Sequence, residues 1–276
     1  MSTTTGTDST AAASTTAAEW TEWAEWHAAH EAARASEHGF LAITSMRWLT
    51  PTPERFDDLP GAWSTDEAGP VVTLASDESL EVDGATVTGT HRFGRLQDRP
   101  EPRVVWHLED RDVVVEVARR GGSDLLRPRD PAAPTRTAYR GTPTFVPDER
   151  FVVEARFEPF DVPREVTVGS VVDGLQHVFA ARGTLSFDLD GPRMLLAFNG
   201  HGDGLHVLFT DRTSGTTTAA TRSLDVPAPG ADGRVRLDFT RATNLPCAYT
   251  AHATCPLPPR ENRLDVAVEA GERLPA

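Results

Sequence analysis

Residues 151–189 read FVVEARFEPFDVPREVTVGSVVDGLQHVFAARGTLSFDL. Phe151, Val153, Ala155 and Phe157 alternate with Val152, Glu154, Arg156 and Glu158. A period of two puts one set on each face of an extended strand. Asp173-Gly174 and Arg182-Gly183 then read as turns, which divide the rest into strands at 166–172, 178–181 and 184–189. The pattern continues downstream with strands expected at 194–198, 205–210, 216–222, 235–240 and 264–270. Their separators are Asp190-Gly191, Gly200 to Gly204, Ser214-Gly215 and Asp232-Gly233. Short strands at such regular spacing predict antiparallel sandwiches or barrels.

Upstream the reading is the same. Asp83-Gly84 between 79–82 and 85–88 is a two-residue hairpin signal, because both turn residues need positive φ. Segments 104–108 and 113–118 form a second hairpin, and 127–134 reads as a Pro-rich linker. A helix is expected over 19–35, with Trp20, Trp23, His27 and His30 on one face, Trp26 off it and Gly39 as its C-terminal cap. Residues 1–18 contain 15 Ser, Thr or Ala residues and are expected to be disordered. The organisation is therefore a tail at 1–18, a docking helix at 19–38, a β lobe at 39–140 and a second at 141–276. The fold class is all-β with one N-terminal helix.

All 27 basic residues of the 276-residue chain are Arg, against 41 Asp and Glu, for a net charge of −14. Without Lys, no Schiff base to pyridoxal phosphate or a carbonyl substrate can form, and no phosphate-binding loop with its Lys exists; no cofactor is predicted. The negative field disfavours nucleic acid as a partner. No run approaches a membrane span of about 18 apolar residues, and no secretory signal is evident. Two cysteines are too few for a secreted disulfide scaffold. A cytoplasmic location is expected.

The chemistry-bearing candidates lie late in the chain. Arg234, Arg236 and Asp238 share one face of a strand whose other face carries Val235, Leu237 and Phe239. Asp211 and Arg222 bracket the neighbouring Thr-rich hairpin. Turned inward, this set would clamp a small anionic or polar molecule; turned outward, it would be a solvated face. Cys247 and Cys255 frame His252. They fit reduced structural thiols, a short-loop disulfide, a thiolate–imidazole metal site, or a Cys247 nucleophile activated by His252. Gly200-His201-Gly202-Asp203-Gly204 is a flexible turn or an anion nest. His177, His201 and His206 could meet in space as ligands or bases.

The stretches YRGTPTFVPDERFVVEARFEPF (139–160), LHVLFTDRTSG (205–215), LDFTRATNLPCAY (237–249) and TCPLPPRENRLDVAVEAGE (254–272) resemble the bacterial and archaeal family called domain of unknown function 1684. The helix beginning at Glu19 is similar to that family's start. The resemblance brings no reaction. It implies a first lobe built as a forkhead-associated-type sandwich, which is shorter here between Trp48 and Val72. It also implies site positions at Asp211, Arg222, Asp238, Asn244, Cys247, Cys255, Asn262, Arg263 and Glu269. Arg212 and Thr240 stand where the resemblance leads one to expect Ala and Asn.

These readings make the chain a small-molecule binder. Its pocket in the second lobe would use Asp211, Arg222, Arg236, Asp238, Asn244, Asn262, Arg263 and Glu269. The alternatives are a protein-interaction module built on the first lobe, and a metal-dependent enzyme using Cys247, His252 and Cys255. Whether the protein is an enzyme is left open.

Overall fold

The computed structural model describes residues 8–96 and 101–275, with residues 8–19 described by backbone alone. The first element is a helix, α1 (Asp8–Arg34). It starts well before Glu19. The disordered tail expected at 1–18 thus lies partly outside the described residues, and from Asp8 onward its backbone is helical. Its Ala content permits this, because extending an existing helix by a good helix former is favourable. Gly39 is no left-handed cap, for its φ is −66°. The site is crowded instead: a Cβ would lie 2.8 Å from Ser36 Oγ and 3.0 Å from Arg34 O.

The first lobe is two facing sheets. Its strands are β1 (Arg47–Trp48), β2 (Glu54–Arg55), β3 (Ala62–Asp66), β4 (Gly69–Thr73), β5 (Leu80–Val82), β6 (Ala85–Val87), β7 (Thr90–Arg92), β8 (Arg103–His107), β9 (Asp112–Arg120) and β10 (Ser123–Arg129). They form an antiparallel six-stranded sheet, β1-β10-β9-β8-β5-β6, and a four-stranded one, β2-β3-β4-β7. Trp63, Val72, Leu80, Val104, Val115 and Leu126 pack between them. The β5–β6 turn has φ of 50° at Asp83 and 84° at Gly84, the two positive values this tight hairpin needs.

The linker expected at 127–134 begins later, because Arg127 to Arg129 belong to β10. Glu116 on β9 captures them. Arg127 donates to it through Nε at 3.0 Å and through Nη2, Arg129 donates at 2.6 Å and Arg120 at 3.1 Å. A Pro between two such arginines reads as a loop only until the buried carboxylate is known.

The second lobe is one seven-stranded antiparallel sheet. Its strands are β11 (Val152–Gly169), β12 (Gln176–Asp188), β13 (Pro192–Asn199), β14 (Leu205–Phe209), β15 (Arg222–Val226), β16 (Arg234–Asp238) and β17 (Thr243–Asn244), in the order β16-β11-β12-β13-β14-β15-β17. Arg182-Gly183 is no turn. β11 and β12 run through it as one long bent hairpin whose register shifts between Pro159 and Arg164. Gly183 lies so close to β11 that a Cβ would sit 2.2 Å from Glu158 O.

The sheet curls without closing: β15 and β16 approach one another but do not pair. Its concave side holds the main core, including Leu185, Leu195, Val207, Phe209, Leu224, Leu237 and Phe239. Residues 264–270, expected as a strand, are instead an extended strap outside any ladder. The strap's alternate residues Leu264, Val266, Val268 and Ala270 are buried in that core.

Glu116 gives a test of the first lobe. Burial works to raise its pKa, but the hydrogen bond from Arg127 and the charges of Arg127 and Arg129 outweigh it, so it titrates below its ordinary 4.5. A depressed folded-state pKa contributes stability above the unfolded value and loses it as pH falls through the folded value. Glu116→Gln should therefore destabilise the protein by about 3–5 kcal/mol near neutral pH. The gap to wild type in urea midpoint should close as pH falls below about 4. A gap independent of pH would contradict this role.

Candidate functional site

Arg222 and Asp211 meet, but in the core. Arg222 lies on the same side of β15 as Leu224 and Val226 and is 0% exposed. Its Nη2 donates to Asp211 Oδ2 at 2.7 Å and to Val268 O at 2.9 Å, and its Nη1 donates to Ala270 O. The guanidinium sits 5.1 Å from the centre of the Phe209 ring. Burial pulls its pKa down and Asp211 pulls it back. Asp211 Oδ1 accepts from the Thr213 N–H at 2.7 Å, the Thr213 hydroxyl at 2.6 Å and the Val268 N–H at 3.3 Å. The pair is thus a clamp holding the strap in the curled sheet.

The other expected site residues divide in the same way. Asn262 is 0% exposed. It donates to Leu196 O at 2.9 Å and Leu208 O at 2.8 Å, and accepts from Leu196 N at 2.6 Å. It supplies the backbone bonds missing where β13 and β14 diverge. Asn244 is buried and donates to Arg273 O at 2.8 Å. Arg263 and Glu269 are exposed, since they alternate with the strap's inward residues. Arg236 and Asp238 lie on the convex face, opposite Val235 and Leu237. Arg222 and Arg236 are therefore on opposite sides of the sheet, and the expected Arg–Asp hollow is filled by aliphatic and aromatic side chains.

Cys247 and Cys255 are free thiols. The His252 N–H donates to Thr250 Oγ1 at 3.1 Å. Among the described residues no three His, Cys, Asp or Glu, the set Cys247, His252 and Cys255 included, are placed to hold a metal ion. The three histidines do not assemble either. His177 donates to Thr254 O at 2.8 Å, and His206 donates to Asp225 Oδ1 at 2.7 Å. His201 lies in the groove described next.

A concavity lies where the curled sheet fails to close. Helix α1 runs over that seam. The Trp23 indole donates to Thr240 O at 2.9 Å, Arg241 reaches Glu22 at 2.8 Å, and the Arg241 guanidinium sits 5.4 Å from the Trp26 ring centre. Between helix and sheet is a cavity of about 680 Å³. The helix contributes Trp20, Glu22, Trp23, Trp26 and His30. The β13–β14 turn contributes His201 and Asp203, β15 contributes Asp225, and the β16 region contributes Arg236, Asp238 and Arg241. Trp26 therefore belongs to the working face, contrary to the expected stripe. Its ring stacks on His30 at 5.5 Å, and Trp23 stacks on His27 at 5.0 Å.

Four carboxylates line the groove against two guanidiniums. Both guanidiniums have carboxylate neighbours: Arg236 is 3.7 Å from Asp238, and Arg241 is 3.5 Å from Asp238 besides its contact with Glu22. The hydrogen bond from His206, opposed by burial, holds the Asp225 carboxyl below its ordinary range.

Below the groove a buried polar network anchors the helix. Arg34 donates to Glu272 at 2.7 Å, to Glu31 at 2.8 Å, to the Tyr139 hydroxyl at 3.2 Å and to Thr142 Oγ1. It also donates to His30 Nε2 at 2.8 Å, which requires that nitrogen to be unprotonated. Burial, then the Arg34 charge, lowers the His30 pKa accordingly. Glu272 accepts from the Asn244 N–H at 2.6 Å. Gly271 beside it has φ 72°, and a Cβ there would lie 2.4 Å from Ala242 O. Burial, then the Glu272 charge, raises the Tyr249 pKa. Arg34 and Glu272 are absent from the expected site. Extending the stripe Trp23, His27, His30 by one turn reaches Arg34, but nothing local marks Glu272 as its partner.

These features define an antiparallel β protein with a helix-covered seam. The chain belongs to the family described as protein of unknown function (DUF1684), which matches residues 137–273. It is similar to an uncharacterized protein of Haloarcula marismortui solved by solution NMR. The two share 34% identity over 52% of this chain and 83% of that one, with a TM-score of 0.43. No curated protein matches. Among the described residues no helix is long and apolar enough to cross a membrane.

Asp211→Asn tests the clamp. It removes the counter-charge of a buried Arg222 and should cost about 3–5 kcal/mol in urea unfolding, the usual penalty for breaking a buried pair. Glu269→Gln, on the outward side of the same strap, should stay within about 0.5 kcal/mol of wild type. Equal effects would show that the strap is not held by this pair.

Proposed function

We propose that the protein binds a small, positively charged organic molecule in the groove between α1 and the seven-stranded sheet. The observation that carries this reading is a wall of three indoles facing a concavity in which carboxylates outnumber guanidiniums two to one. Aromatic faces attract cations through their quadrupoles. The contact of Arg241 with Trp26 is an internal example of that attraction. The cavity volume suits a metabolite-sized ligand, and a few convergent polar groups on an apolar wall suit selective binding.

An anionic ligand is less well supported. Arg222, its expected anchor, is fully buried in the core and turns its Nη groups to Asp211 and the strap. Arg236 has Asp238 beside it. Neutral polar molecules keep part of the original expectation, because His30, His201 and Thr243 also reach the groove.

Titrating tryptophan fluorescence with matched panels of quaternary ammonium, polyamine, dicarboxylate and phosphate compounds tests the reading. At least one cation should change the signal saturably. Trp20→Ala and Asp203→Asn should each weaken it about tenfold, equivalent to about 1.4 kcal/mol. Tighter binding of the anions, or no response to any compound, would overturn the assignment.

A further inference from the structure

We propose that Cys247 and Cys255 are a redox pair that closes reversibly into a disulfide, stapling the loop on which the helix anchor rests. Cys247 lies in a short 3-10 turn, Pro246–Ala248, and is partly exposed. Cys255 is buried. The Cys247 N–H donates to Cys255 Sγ at 3.3 Å. Cys247 Sγ is only three bonds from that nitrogen, so the two thiol side chains are close neighbours.

Contacts outside the cysteines hold both backbones in place. Tyr249 N donates to Pro246 O at 3.0 Å, while Cys255 O accepts from Val171 N at 3.0 Å and Ser170 Oγ at 3.1 Å. The two backbone segments are thus each tied to their surroundings on either side of the thiol pair. The adjoining Cys255 thiol, against burial, lowers the pKa of Cys247, whereas the Cys247 thiol and burial raise that of Cys255. An accessible thiol with the lower pKa attacks first, and the buried one resolves.

The oxidant is a low-molecular-weight disulfide. The Cys247 thiolate attacks one sulfur of it, the external S–S bond breaks, and one small thiolate leaves with the bonding electrons. Cys255 then gives its proton to solvent and attacks Cys247 Sγ, expelling the second small thiolate. Two protein thiols are oxidised, one external disulfide is reduced, and two protons end on the released thiols.

The consequence reaches the helix through Tyr249, which follows Cys247 by two residues. Its hydroxyl lies 2.8 Å from Thr142 Oγ1, and its ring lies under the Arg34 guanidinium at 4.8 Å and against Phe40 at 5.4 Å.

The full chain is equilibrated with glutathione buffers of graded redox ratio, quenched in acid, alkylated and weighed. At the oxidising end the expected product is a monomer that takes up no alkylating agent and carries no glutathione. Dithiothreitol should reverse it, and its melting midpoint should lie several degrees higher. Cys255→Ser should accumulate a mixed disulfide at Cys247. Cys247→Ser should react much more slowly, because its remaining thiol is buried. Should a serine variant fail to fold, the wild-type product decides. Two free thiols at every ratio, glutathione on each cysteine separately, or only disulfide-linked dimers would overturn the proposal.

Discussion

The second lobe depends on one buried charge pair. A seven-stranded sheet that curls but does not close leaves an apolar concavity with no second sheet to cover it. The strap at 264–270 covers it, yet a single extended segment lacks ladder partners for its own backbone. Arg222 and Asp211 solve that problem from inside. The guanidinium takes the carbonyls of Val268 and Ala270, and the carboxylate takes the Val268 N–H. Two ions so deeply buried are tolerable because they face each other and their charged ends are hydrogen-bonded, although Arg222 Nε is left without a partner. Asn262 does the same service at the strap's start, with its amide bridging Leu196 and Leu208.

The unclosed seam accounts for the helix and for the groove. Were β15 and β16 paired, α1 would have nothing to cover and Trp23 no carbonyl to reach at Thr240. The helix is fixed at its C-terminal end by Arg34 against Glu272 and rests on indoles nearer its start. A cavity forms between these because three tryptophans hold helix and sheet apart while the sheet's convex face stays polar. Structural anchoring and ligand capacity thus come from the same element.

Much of the architecture was legible before any coordinates. Alternation at 151–157 located β11, and Asp83-Gly84 located a hairpin, because period-two burial and positive φ are local requirements. The misreadings were also local. Arg182-Gly183 has turn chemistry but serves a close interstrand approach, and Pro128 sits in a strand because Glu116 holds its flanking arginines. The site was less legible. Asp211 and Arg222 were singled out together and do meet, but in a clamp rather than a ligand pocket. Trp20, Trp23 and His30 share one expected face and do line the groove, whereas Trp26 joins them from off that stripe, Asp203 from the Gly-rich turn, and Asp225 without any sequence signal.

From residue order alone came the strand-rich class, the N-terminal helix, the late position of the unusual polar segment and the absence of any lysine chemistry. These follow from covalent composition and from periodicities that a few neighbouring residues satisfy. Tertiary structure alone decided which face of β15 and β16 met the core, that Arg222 and Arg236 lie on opposite sides, and that Arg34 finds Glu272 238 residues away. Such choices depend on how far a curled sheet closes and what covers it. That is a property of the packed whole, and no local window of sequence carries it.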